Sequence, residues 1–178
     1  MKFLKFDLTE SQAVIELYTN TFADSEGKAE GKLIGSLVSD LITTTRKSDL
    51  VGFVAKSEDK VLGSIFFSRL VLPSNNVAFI LSPVAIATKY QGKGLGQQLI
   101  NFGIEYLKTL NVDIVFTYGD PNFYAKVGFK PISEGVVKAP LKLSYPEGWL
   151  AQSLNNAPID VMKGSTHCVK ALDNQQYW

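Results

Sequence analysis

The chain has 178 residues, enough for one domain that buries a sizeable core without disulfide staples. Hydrophobic residues make up 46% and charged residues 20%, the balance of an ordinary globular domain. Eighteen basic residues stand against seventeen acidic ones, and the net charge of +1 excludes the concentrated basic surface of a general nucleic-acid binder.

In chain order, Phe3 to Leu8 reads as a first strand, and its alternation of charge and apolarity lacks the apolar core of a signal peptide. No apolar run is long enough to cross a bilayer, so a cytoplasmic location and no membrane partner are expected. Thr9 reads as an N-cap for a helix over Ala13 to Phe22, with Val14, Leu17 and Tyr18 at helical spacing. Asp24 to Gly27 reads as a break, and Leu33, Leu37 and Leu41 mark a second helix over Leu33 to Ile42. The character then changes to a meander. Leu50 to Ala55, Val61 to Leu72 and Val77 to Ala87 are apolar runs separated by the polar turns at Ser57–Lys60 and Leu72–Asn76.

A glycine-rich loop follows, and then a helix from about Gly94 to Leu110. Leu95, Leu99, Phe102, Tyr106 and Leu110 share one face, widened by Ile100, Ile104 and Leu107, as in a helix packed on a sheet. Asp113 to Thr117 is a short buried strand. Asp120-Pro121 opens a turn or short helix that Gly128-Phe129 closes. Beyond Ile132, Trp149–Leu154 and Thr166–Val169 read as strands among the breakers Pro140, Pro146, Gly148 and Pro158.

The chemistry centres on Gln91-Gly92-Lys93-Gly94-Leu95-Gly96, a loop between a strand and a helix. Glycines let the backbone approach a ligand closely. The first helical turn presents amides without intrahelical partners, and the dipole adds positive character, so the pair forms a phosphate site. Lys93 adds a formal charge. A Walker loop requires Gly-Lys-Ser/Thr after four residues, which is missing here. The dinucleotide fingerprint places its third glycine one position later than Gly96, and follows a strand and crossover where this chain has a meander.

The run Val84-Ala85-Ile86-Ala87-Thr88-Lys89-Tyr90-Gln91-Gly92-Lys93-Gly94-Leu95-Gly96 resembles the acyl-CoA signature of the GNAT superfamily of N-acetyltransferases. Its pattern Gln/Arg-x-x-Gly-x-Gly/Ala is met by Gln91, Gly94 and Gly96. Pro121-Asn122-Phe123-Tyr124-Ala125-Lys126-Val127-Gly128-Phe129 resembles the second signature, a tyrosine four residues before a Gly-Phe pair. Leu81-Ser82-Pro83 and Gly119-Asp120-Pro121 are similar to a bacterial branch of predicted acetyltransferases.

The resemblance implies an α/β fold with a mixed, mostly antiparallel central sheet, splayed in the middle and flanked by helices. The core would span residues 1–131, with a C-terminal extension over 132–178 packed on the same domain. That extension would complete the sheet, cover the acceptor site or form a homodimer contact.

The resemblance also implies acetyl-CoA as acyl donor, without a metal. Val84, Ala85 and Ile86 would pair with the pantetheine arm. Gln91, Gly92, Lys93, Gly94, Leu95, Gly96 and Gln97 would hold the pyrophosphate, with Asn122 as a further polar contact or a turn residue. Pro83 marks either a bulge or an early strand end. Tyr124 matches the tyrosine that protonates the departing thiolate; its alternative reading is an aromatic core residue on a short helix, with Phe123 and Phe129 beside it. Thr88 stands where many members have proline.

The acceptor implied is a primary amine, attacking directly. No residue singles itself out as the base. Asp24, Glu26 and Glu30 lie in the region that lines the acceptor site in this family, or are solvated charges. His167, the only histidine, falls outside the resemblance, and Cys168 reads as a small apolar residue without a disulfide partner. The competing function is an acyl-CoA-binding sensor or structural module without turnover.

Overall fold

The computed structural model describes residues 1–178. The strands are β1 (Lys2–Lys5), β2 (Leu50–Ser57), β3 (Lys60–Leu70), β4 (Ala78–Ile86), β5 (Ile114–Tyr118), β6 (Lys130–Pro131) and β7 (Trp149–Ser153). The helices are α1 (Ser11–Glu26), α2 (Lys28–Thr44), α3 (Leu95–Thr109) and the short α4 (Pro121–Tyr124). The strands form a seven-stranded, mostly antiparallel sheet in the order β1-β2-β3-β4-β5-β7-β6. By packing, the chain divides into two compact units: residues 1–67 with 83–103, and residues 68–82 with 104–178. Strands β3 and β4 and helix α3 each run from one unit into the other.

In the first unit, β1 pairs antiparallel with β2, from Lys2 opposite Lys56 to Lys5 opposite Phe53. The strand is shorter than the sequence suggests, because Asp7 takes over as a cap. Its side chain accepts from the Thr9 N–H at 2.9 Å, and Glu10 reaches back to the Asp7 N–H at 3.2 Å. This reciprocal box starts the 3-10 turn that leads into α1, so Asp7 and not Thr9 is the N-cap. Helix α1 continues to Glu26 and α2 begins at Lys28, so the expected break over Asp24–Gly27 narrows to Gly27 alone, at φ 100°.

β3 reads as a continuous apolar run because both of its faces are covered. Phe66 packs with Tyr18 and Phe6, and Phe67 packs with Phe53. Phe53, Phe66 and Phe67 are fully buried and form the centre of this unit's core.

In the second unit, β4 and β5 pair parallel from Ala78 opposite Ile114 to Leu81 opposite Thr117. β5 pairs antiparallel with β7 along Ile114–Tyr118, and β6 adds two pairs to the far side of β7. Strand β7 therefore lies between β5 and β6, and the C-terminal segment completes the sheet. Trp149 anchors it, stacked on Phe116 at 5.0 Å with its indole N–H on the Val137 carbonyl at 2.9 Å. The second expected strand, Thr166–Val169, is only a single bridge between His167 and Val71. No helix is long and apolar enough to cross a membrane.

Candidate functional site

β4 runs uninterrupted from Ala78 to Ile86 through Pro83, but its pairing with β5 ends at Leu81. Pro83 has no N–H to offer a neighbouring strand. Its carbonyl is nonetheless held: the Tyr18 hydroxyl lies 2.9 Å away, and 2.8 Å from the Ser64 carbonyl on β3. Val84 is partly exposed at this end of the strand, whereas Ala85 and Ile86 are buried. The Ala87 N–H then donates to the Leu62 carbonyl at 2.8 Å, closing the strand.

The chain leaves the sheet through a 3-10 turn over Thr88–Tyr90. The Thr88 hydroxyl donates to the Asp24 carboxylate at 2.7 Å, tying the loop entry to the end of α1. The Gln91 side-chain amide turns back to the Ile86 carbonyl at 2.8 Å, so this glutamine shapes the loop. Gly92 and Gly94 adopt φ 71° and 78°, left-handed conformations that favour glycine. Lys93 donates to the Lys89 carbonyl at 3.3 Å and lies 5.8 Å from the Tyr90 ring centroid, which keeps its charge over the turn.

The Gly94 carbonyl accepts from the Gln98 N–H at 3.0 Å and so opens α3. The amides of Leu95, Gly96 and Gln97 precede that first bond and have no partner within the helix. The expected loop therefore ends at Gly94, and Leu95, Gly96 and Gln97 form the first helical turn. A glycine turn feeding a fifteen-residue helix has the amides and the dipole that an anion site requires.

The second unit carries Tyr124 and Asn122. Asp120 caps α4 by accepting from the Asn122 N–H at 2.9 Å, and Pro121 occupies the first turn. Asn122 is exposed. The half-buried Tyr124 ring meets Phe123 and Phe129 edge-on at 5.0 and 5.7 Å. It also lies so close to Gly119 that a Cβ there would stand 2.7 Å from the ring. Burial pushes the Tyr124 phenol above its ordinary value; the Thr117 hydroxyl offsets this in part and the Asp120 carboxylate reinforces it. Thr117 itself donates to the Leu81 carbonyl at 2.9 Å, at the last β4–β5 pair.

The remaining candidates are dispersed. Asp24 and Glu26 end α1 and Glu30 lies in the first turn of α2, on helices and not in a loop. His167 is exposed, and its backbone pairs with Val71 at 2.8 and 3.0 Å. Burial, together with Asp173, pushes the Cys168 thiol up to about 11. The sequence pattern places Tyr18 on an apolar helical stripe and Thr117 in a buried strand, and the structure gives the hydroxyl of each a backbone carbonyl as partner. The available signal was a tyrosine on a core-facing helical stripe, since a buried phenol requires a hydrogen-bond partner.

The fold is that of acetyltransferases. The Escherichia coli N-acetyltransferase YhbS, solved with CoA, superposes with a TM-score of 0.79 at 21% identity, over 98% of this chain and 92% of that one. A GNAT family acetyltransferase from Brucella melitensis, solved with acetyl-CoA, gives 0.75 at 21% identity, over 97% of each chain. In sequence, the uncharacterized N-acetyltransferase YjhQ of Escherichia coli (strain K12) is 32% identical over 125 residues, spanning 66% of this chain and 68% of YjhQ. The family description "Acetyltransferase (GNAT) domain" matches residues 48–131. The chain belongs to the GNAT family of N-acetyltransferases.

Proposed function

We propose that this protein transfers an acetyl group from acetyl-CoA to a primary amine by direct attack. The observation that carries the reading is the tract from Val84 to Gln97: a strand end beyond its last pair with its parallel neighbour, a glycine turn, and a helix start whose first three amides precede the helical bonds. These residues fit the donor. The strand end offers backbone groups to the amide-bearing pantetheine arm. The glycine turn and first helical turn offer N–H groups and positive dipole to the pyrophosphate. That YhbS and the Brucella protein were solved with CoA and acetyl-CoA supports this assignment.

In the reaction, the neutral amine forms a C–N bond to the thioester carbonyl carbon. Charge develops on the carbonyl oxygen, where a backbone N–H of Val84–Ile86 stabilises it. The C–S bond then breaks, and the thiolate takes a proton from the Tyr124 phenol. The Tyr124 phenol carries its proton at neutral pH in any case; burial raises it and so weakens it as an acid, which leaves its position beside the thiolate, and not its acidity, to carry the role. The amine's own proton leaves to water or to a nearby carboxylate, with Asp24, Glu26 and Glu30 as candidates.

The test is calorimetry with acetyl-CoA, ATP and NAD, followed by thiol release with a panel of primary amines. The expected result is binding of acetyl-CoA alone and amine-dependent thiol release. Absence of CoA binding overturns the reading; tight binding without thiol release on any amine leaves a sensor in its place.

A further inference from the structure

We infer that Tyr18 is a positioning residue for the thioester carbonyl, acting through the Pro83–Val84 peptide; this rests on the acetyl-transfer reading above. Tyr18 is 0% exposed on α1, with its ring 6.2 Å from that of Phe66. Its hydroxyl lies 2.8 Å from the Ser64 carbonyl and 2.9 Å from the Pro83 carbonyl. Both partners are acceptors, so the single phenolic proton serves the pair. The neighbouring Ser64 hydroxyl is fully buried and makes no hydrogen bond, so it does not share the task.

The position of that bond along β4 gives it a consequence. Pro83 lies two residues past Leu81, the last β4 residue paired with β5. The Pro83 carbonyl and the Val84 N–H belong to one planar trans unit and point in opposite directions. Anchoring the oxygen therefore aims the N–H away from the Tyr18 hydroxyl. Donation to the carbonyl also polarises the amide and strengthens its N–H as a donor. Val84 is the first residue of the tract that supplies the oxyanion donor. A helix residue that never touches the substrate thus fixes the direction and strength of the group that does.

The test follows the carbonyl stretch of isotope-labelled acetyl-CoA bound to the full chain by difference infrared spectroscopy, alongside steady-state kinetics. In the wild type the bound band lies below that of free acetyl-CoA. In Tyr18→Phe the band moves back toward the free value and kcat falls about ten- to a hundredfold, as for a weakened oxyanion donor. The KM and Kd for acetyl-CoA stay within about twofold, since the donor binds the ground-state carbonyl far more weakly than the developing oxyanion. Tyr18→fluorotyrosine keeps the ring and supplies a more acidic donor, so its band lies below the wild-type position.

A Tyr18→Phe band identical to wild type overturns the inference, as does a fall in kcat matched by an equal loss of CoA affinity. If the phenylalanine variant does not fold, the fluorotyrosine variant decides: a band moved to lower wavenumber supports the inference and an unmoved band overturns it. Wild-type protein that binds CoA but leaves the acetyl carbonyl unshifted overturns the inference while the cofactor assignment stands. Failure to bind any CoA species overturns both.

Discussion

The side-chain amide of Gln91 donates to the backbone carbonyl of Ile86 at 2.8 Å, fastening the glycine turn to the end of the strand that precedes it. The residue most identifiable in the motif thus works by shaping the loop. Gln91→Leu keeps the size and removes the donor. Loss of one such bond is worth about 1 kcal/mol, so CoA affinity should fall about fivefold to tenfold by calorimetry. Global stability should change little, because Gln91 is exposed.

Gly92 and Gly94 carry the loop through φ 71° and 78°. No atom lies within 4 Å of a Cβ built on Gly92, so Gly92→Ala incurs backbone strain without a clash. That strain is about 1 kcal/mol, which corresponds to a fall in Tm of roughly 2–4 °C for a chain of this size. The double variant Gly92→Ala with Gly94→Ala should lose CoA binding before it loses its fold, measured by titration beside circular dichroism.

Tyr124→Phe tests the proton donor. The expected outcome is a fall in kcat of about a hundredfold or more, with CoA affinity held, as for removal of a general acid. An unchanged kcat would reject the role. The raised phenol also sets a sign for stability. The folded state holds the proton more tightly than the unfolded chain, so this contribution is complete below the ordinary tyrosine value of about 10. It is lost as pH rises through the folded value. Alkaline unfolding should therefore be shallower in Tyr124→Phe than in the wild type above about pH 10.

Cys168 is half-buried and its thiol is pushed up to about 11. Alkylation by iodoacetamide should be slow near neutral pH and should accelerate about tenfold per pH unit until that value is approached, since the thiolate is the reacting form. Cys168→Ala should leave kcat within about twofold of wild type, the result for a residue outside the chemistry. A large loss of activity would call for a new reading of the C-terminal segment.

Much of the fold around the candidate site is legible in the sequence because its determinants are local. The meander of apolar runs, the helix-spaced leucines after the loop and the glycines at 92 and 94 each act on neighbouring backbone. Asp120-Pro121 likewise announced α4 through a cap and a proline in its first turn. The differences are local as well: Thr9 has the residue type of a cap, but Asp7 with Glu10 three residues on forms the full box. Asp24 to Gly27 looked like a break, and tertiary packing of α1 carried the helix to Glu26.

What the sequence by itself determined is the order of elements and the glycine turn that opens α3, because propensity, spacing and glycine freedom operate within a few residues. Only the tertiary structure decided that β7 enters between β5 and β6, that the pairing of β4 with β5 ends at Leu81, and that Tyr18 holds the Pro83 carbonyl. These depend on contacts between residues far apart in the chain, sixty-five positions for Tyr18 and Pro83. Strand pairing and the partner of a buried hydroxyl are settled by which groups the packed core leaves without a donor, and no local pattern encodes that.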